Sequence, residues 1–303
     1  MSFFSKKSKN KPAHGTKIPP VGAFGHYNKK QGVKPLSDKK SASEREISEK
    51  NIQISIENVT LSHEGRAVIN DITFDICEGD YICVIGENGS GKSTLMNAIL
   101  GLLKPTSGKI KYHALQRNQI GVLPQLSPLE ADFPATISEV VLAGCLARGN
   151  KGIFLTKDSK QIAFSAMEKL GITSLANRSY KELSGGQRQK VMIARALCAA
   201  EKMLILDEPV TGLDRTSTAD VYAIIEGLNR NGMTIVTVTH DVRAALKHAT
   251  KILRINKSSY IFTDVEEYKK LPEAQIYLRS EDDGIDRDKP YGEGGFRYSG
   301  GEK

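Results

Sequence analysis

No apolar run in this 303-residue chain approaches the ~18 residues that a membrane-spanning helix needs. The first residues also lack the apolar core of a secretory signal. A membrane span of the chain's own is excluded, and a cytosolic setting is expected. Cysteine is scarce: Cys77, Cys83, Cys145 and Cys198 lie in apolar surroundings with no C-x-x-C spacing. They read as reduced core residues, which argues against a disulfide scaffold or a thiolate metal site. None of the six histidines joins a ligand cluster. Any ion the protein serves is therefore bound elsewhere. No internal repeat is present, and the length suits one large domain.

Excess positive charge is missing from most of the chain. The net charge is +8, and residues 1–50 hold twelve Lys or Arg against four acids. The rest is neutral overall, which disfavours nucleic acid as a partner. Poor in apolar residues, residues 1–50 read as a basic disordered arm. It is either a solvated tail or a segment drawn to an anionic membrane surface. Residues 276–303, with Glu281-Asp282-Asp283-Gly284 and Gly292-Glu293-Gly294-Gly295, read as a second disordered tail. A folded domain is expected over residues 51–275.

Within that domain, Tyr81-Ile82-Cys83-Val84-Ile85 is a strand-type run that leads into Gly86-Glu87-Asn88-Gly89-Ser90-Gly91-Lys92-Ser93-Thr94. Residues 92–102 read as a helix. A strand, a glycine-rich turn and a helix make the context in which G-x-x-x-x-G-K-[ST] cradles phosphate. Glycines let backbone N–H groups close around phosphate oxygens, and the helix dipole favours the anion. Lys92 would reach the β- and γ-phosphates and Ser93 would hold Mg²⁺. A second buried-strand run, Met203-Leu204-Ile205-Leu206, ends in Asp207-Glu208-Pro209. Asp207 is then a Mg²⁺ ligand and Glu208 the group that polarises the attacking water. A ligand-free glycine loop and a solvated acidic turn are the plainer alternatives. Leu183-Ser184-Gly185-Gly186-Gln187 opens a helix running to about residue 200, whose N-terminus is a second anion site.

In this order and spacing, the three motifs resemble those of the ATP-hydrolysing subunits of ABC transporters. The resemblance covers about residues 52–270. It implies an α/β P-loop fold, with a RecA-like core, an antiparallel β-subdomain and a helical subdomain that carries the signature. It implies ATP and Mg²⁺ as cofactors, with Ser93, Gln125 and Asp207 around the metal. Gln125 matches the Q-loop glutamine, Asp214 the aspartate that crosses the dimer interface, and His240 the switch histidine. Catalysis falls to Glu208, His240 and Gln125. Ser184, Gly185, Gly186 and Gln187 would cap the γ-phosphate held by a second ATPase subunit, in a head-to-tail homodimer. His63 stands where the family usually has an aromatic against adenine. It is either that stacking group or a surface residue.

Partners implied are integral-membrane permease subunits and, for an importer, a solute-binding protein, with no nucleic acid. The implied location is the cytoplasmic face of the membrane, as a peripheral subunit. The single motif set argues against the duplicated soluble ABC proteins of translation. The stretch Asp132-Phe133-Pro134-Ala135-Thr136-Ile137-Ser138-Glu139-Val140-Val141-Leu142-Ala143-Gly144 resembles “FPxTVxEVVxxG” of zinc and manganese importers. An iron-chelate importer and a soluble ABC ATPase of iron–sulfur cluster assembly are the rival readings.

Overall fold

The computed structural model describes residues 52–63, 66–113, 115–125, 134–148, 156–256 and 259–279. The N-terminal arm, and the C-terminal tail beyond residue 279, lie outside the described residues.

Strands β1 (Ile52–His63), β2 (Arg66–Cys77) and β4 (Ser107–Tyr112) form an antiparallel sheet ordered β2-β1-β4. In β2 the alternating Ile72, Phe74 and Ile76 point inward, as period-two patterning dictates for a sheet with one wet face. A second sheet has the order β5-β6-β7-β3-β8-β9. It contains β3 (Tyr81–Ile85), β5 (Ile120–Leu123), β6 (Met203–Asp207), β7 (Thr234–Val238), β8 (Lys251–Ile255) and β9 (Tyr260–Asp264). Only β9 runs antiparallel to its neighbour, β8. This is the α/β architecture expected from the motifs.

Alternation along the continuous apolar strand β3 divides the interior. Tyr81, Cys83 and Ile85 enter one core, with helices α4 (Gly185–Ala199) and α5 (Arg215–Arg230). Ile82 and Val84 enter the other, with α1 (Lys92–Ile99) and the inner face of β1 and β2. Both faces of the sheet are thus covered, which is why its strands read as uninterrupted apolar runs rather than alternating ones.

The inserted helical region holds α2 (Ile137–Ala143) and α3 (Lys157–Lys169), which pack with α4. Thr136 caps α2 in a reciprocal box: its hydroxyl accepts from Glu139 N, and its own N–H donates to Glu139 Oε2 at 2.8 Å. The chain ends its described course with α6 (Val242–His248), α7 (Val265–Lys269) and α8 (Pro272–Arg279).

Two boundaries differ from the sequence reading. The first helix stops at Ile99 rather than at residue 102, because Gly101 turns left-handed (φ 73°) and Leu100 caps the end. At the other end, α8 continues through Arg279, four residues past the expected domain limit. Beyond that limit Leu278 packs against the core, while Ile276 stays exposed.

Candidate functional site

The carboxyl ends of β3, β6 and β7 converge on one edge of the parallel sheet, where open α/β sheets place their ligand crevice. The loop after β3 depends on Gly86. Its φ is 154°, and a Cβ there would sit 2.2 Å from the Ile255 carbonyl oxygen. α1 starts at Lys92 with no side-chain cap and no acid in its first turn. Its N–H groups are thereby left for a ligand. Ser90 Oγ is buried with no hydrogen-bond partner. The Lys92 ammonium is buried as well, donating to the carbonyls of Gly86 (2.8 Å) and Glu87 (2.9 Å). Burial lowers its pKa, and the carboxylates of Glu208 and Asp207 oppose that shift.

At the end of β6, burial raises the Asp207 carboxyl. The Glu208 charge adds to the rise, and Lys92 works against it. Glu208 takes a left-handed backbone, φ 51°, a conformation that costs a non-glycine residue roughly 1–3 kcal/mol. The turn is held by Glu208 N donating to Val238 O at 2.9 Å, across to β7. The Glu208 carboxylate accepts from Thr211 Oγ1 at 3.0 Å and lies 2.9 Å from His240 Nδ1 through either oxygen. His240 remains mostly exposed while Glu208 is mostly covered.

A cleft of about 650 Å³ is lined by Asn88, Gly89, Gly91, Lys92, Ser93, Thr94, Gln125, Asp207, Glu208 and Val238. Nine of the nineteen sequence-derived site residues therefore line one cavity, while Gly86, Glu87 and His240 line a second one that shares Asn88 with it. Arg66 and Val68 also line the first and were missed. Their spacing, i and i+2 at the start of β2, puts them on one strand face, and that signal was available in the sequence. His63 ends β1 opposite Arg66; its imidazole lies outside the described residues.

Ser184, Gly185, Gly186, Gln187 and Asp214 are absent from the lining of this cleft. Ser184 caps α4, its hydroxyl accepting from Gln187 N at 3.3 Å while Gln187 Oε1 accepts from Ser184 N at 3.1 Å. The Gln187 side chain is thus engaged by the helix cap. Asp214 caps α5, accepting from Ser217 N (2.9 Å) and Ser217 Oγ (2.6 Å), and these bonds lower its pKa. A Cβ on Gly186 would lie 2.5 Å from Ser217 Oγ, so the starts of α4 and α5 abut.

A family model described as ABC transporter matches residues 69–211. The chain is similar to the manganese transport system ATP-binding protein MntB of Bacillus subtilis, 35% identical over 221 residues (70% of this chain, 87% of the relative). It is 36% identical over 227 residues to the zinc uptake system ATP-binding protein ZurA of Listeria monocytogenes (71% and 87%). A solved chain of an inward-facing ABC transporter, assigned to the metal-chelate type, superposes with a TM-score of 0.66 at 32% identity. That match covers 76% of this chain and 89% of the other.

Proposed function

The chain belongs to the ABC transporter family of ATPases, and from that membership we propose that it powers import of a divalent metal such as zinc or manganese through separate permease chains. The observation that carries the catalytic half is the single cleft holding Lys92, Ser93, Gln125, Asp207 and Glu208. The cargo rests on the named relatives and on the Thr136–Glu139 box, which sets the start of α2 within the importer-like segment.

On ATP entry, the Lys92 ammonium exchanges the Gly86 and Glu87 carbonyls for phosphate oxygens, and the loop N–H groups close around the same anion. Ser93, Gln125 and Asp207 form an all-oxygen donor set that fits Mg²⁺. A carboxyl raised by burial beside a second carboxylate is an arrangement that a cation relieves. Bound there, Mg²⁺ supplies charge neutralisation across the phosphates.

Glu208, anchored through Val238 and Thr211, orients water for in-line attack on the γ-phosphorus. A P–O bond to that water forms as the bond to the bridging oxygen of ADP breaks. The water proton passes to Glu208 or to the departing phosphate. His240 holds the carboxylate in register. Ser184 and the N-terminus of α4 complete the γ-phosphate shell of a second copy, in keeping with their absence from the cleft of their own chain. The subunit works at the cytoplasmic face of the membrane, docked on its permeases, with a solute-binding protein as the source of the ion.

Glu208→Gln is the direct test. ATP titration should be unchanged, turnover should fall by at least about 10²-fold, and ATP-bound dimers should accumulate on size exclusion. Near-normal turnover would remove Glu208 from the catalytic role. For the cargo, Lys92→Ala cells should lose zinc or manganese accumulation, and a multi-spanning permease should co-purify with the wild-type chain. Recovery of soluble partners alone would favour the cluster-assembly reading.

A further inference from the structure

Arg66 and Val68 reach the nucleotide cleft from β2, and the chemistry of hydrolysis described above uses neither. The start of that strand lies against the phosphate loop: a Cβ on Gly91 would sit 2.8 Å from Ile69 Cγ1 and 3.3 Å from the Val68 carbonyl oxygen. Val68 is half-buried there, and Arg66, two residues back on the same strand face, is exposed. The two stand about 7 Å apart along the strand. The Arg66 guanidinium has no hydrogen-bond or ion-pair partner among the described residues. The described residues that line the cleft also include no aromatic ring.

A nucleotide offers such a cleft the charge of its phosphates and the flat face of its base. Lys92 and the N–H groups at the start of α1 already answer the phosphates. For the base, a guanidinium is the flat group at hand: planar, always charged, and more weakly hydrated than an ammonium. Stacking of this kind is indifferent to which base is present, because every base has a π-face. At the base edge the Arg66 side chain has donors only, and Val68 has neither donor nor acceptor. Neither side chain can accept from the adenine amine, and neither penalises the oxygen that guanine carries in its place. We propose that Arg66 is the base-contacting residue of the cleft, its guanidinium laid on the purine, and that the subunit consequently takes GTP nearly as well as ATP. Arg66 has this role only if the cleft is the nucleotide site, which Lys92→Ala tests separately.

Calorimetric titration of the full chain with three ligands separates base from phosphate: the non-hydrolysable β,γ-imido analogues of ATP and GTP, and inorganic tripolyphosphate, which has no base. The two analogues should bind the wild type within about threefold of each other, as expected when stacking and phosphate contacts dominate. Arg66→Ala should weaken both by about five- to tenfold, the scale of a guanidinium on an aromatic face, and leave tripolyphosphate unchanged. Arg66→Tyr, which restores a flat ring without the charge, should recover most of that loss. An equal loss of tripolyphosphate would make Arg66 a phosphate contact and overturn the proposal. So would failure of Arg66→Tyr to rescue, a wild-type preference for the ATP analogue above about thirtyfold, or a base-dependent loss that follows His63→Ala and spares Arg66→Ala. Lys92→Ala tells the two levels apart. If it weakens all three ligands while Arg66→Ala weakens none, only the role of Arg66 falls. If it weakens none, the cleft is not the nucleotide site and both readings fall together.

Discussion

Asp207 is a half-buried carboxyl that burial and the neighbouring Glu208 charge push up, with Lys92 opposing them. Its folded pKa is raised, so the folded state favours the protonated form. The stability this contributes is complete below the ordinary carboxylate value and is lost as pH rises through the raised one. Without nucleotide or Mg²⁺, Asp207→Asn should therefore melt higher than wild type, with a gap that opens as pH rises through the carboxylate range and then levels. Calorimetry in chelator between about pH 4 and pH 8 measures it, since ordinary carboxyls titrate near 4. A gap that stays flat would mean that burial of this charge is relieved by other means. With Mg·ATP the order should reverse, because only the wild type gains the ligand's stabilisation. At this scale the motifs foretold which side chains would meet: Lys92, Asp207 and Glu208 line one cleft. They were silent on the left-handed turn at Glu208, which a hydrogen bond to Val238 on another strand enforces. Such a partner is invisible to local pattern.

Helices and strands were legible to the extent that burial follows period. The core strands β3, β6 and β7 announce themselves as apolar runs, and the first helix and the signature helix start where their motifs place them. Helix ends were less clear: a left-handed Gly101 closes α1 early, and Leu278, packed on the core, lies in α8 past its expected limit. The adjoining starts of α4 and α5 could not be read at all. Their contact allows a sharp comparison between neighbouring glycines. Gly186→Ala drives a methyl to within 2.5 Å of Ser217 Oγ, whereas Gly185→Ala meets nothing closer than Leu213 Cδ2 at 3.7 Å. The first should cost about 1–3 kcal/mol of stability as overpacking, and Ser217→Gly in the same chain should restore most of it. The second should melt like wild type. Urea denaturation of the four proteins decides it, and equal stability for both alanine variants would place the two helix starts farther apart than described.

For the assembled molecule, the separation of cleft residues from signature residues gives a complementation test. Ser184→Arg fills the space before α4, and Lys92→Ala removes the phosphate-binding cation. Each homodimer carries its defect in both composite sites. A head-to-tail heterodimer concentrates both defects in one site and leaves the other intact. Mixing the two inactive proteins should therefore recover ATP-dependent dimerisation and up to about a quarter of wild-type turnover, if half the dimers are mixed and each has one working site of two. No recovery at any ratio, or full hydrolysis by Ser184→Arg alone, would sink the shared-site arrangement.

The position of β3 in its sheet also sets a timetable for the newborn chain. Tyr81 pairs with Ile235 on β7, and Ile82 pairs with Lys251 on β8, so the strand that feeds the phosphate loop has no sheet neighbour until some 150 residues later. The Tyr81 N–H likewise waits for the Thr250 hydroxyl, 169 positions on. At typical synthesis rates of about 5–20 residues per second, that interval lasts roughly 8–34 s. During it the glycine loop is already outside the ribosome, yet the edge that should hold it has not been made. Capacity to retain nucleotide should then arise late and abruptly, as the last parallel strand emerges. Until that moment the apolar run of β3 is exposed to whatever else in the cell binds unpaired strands.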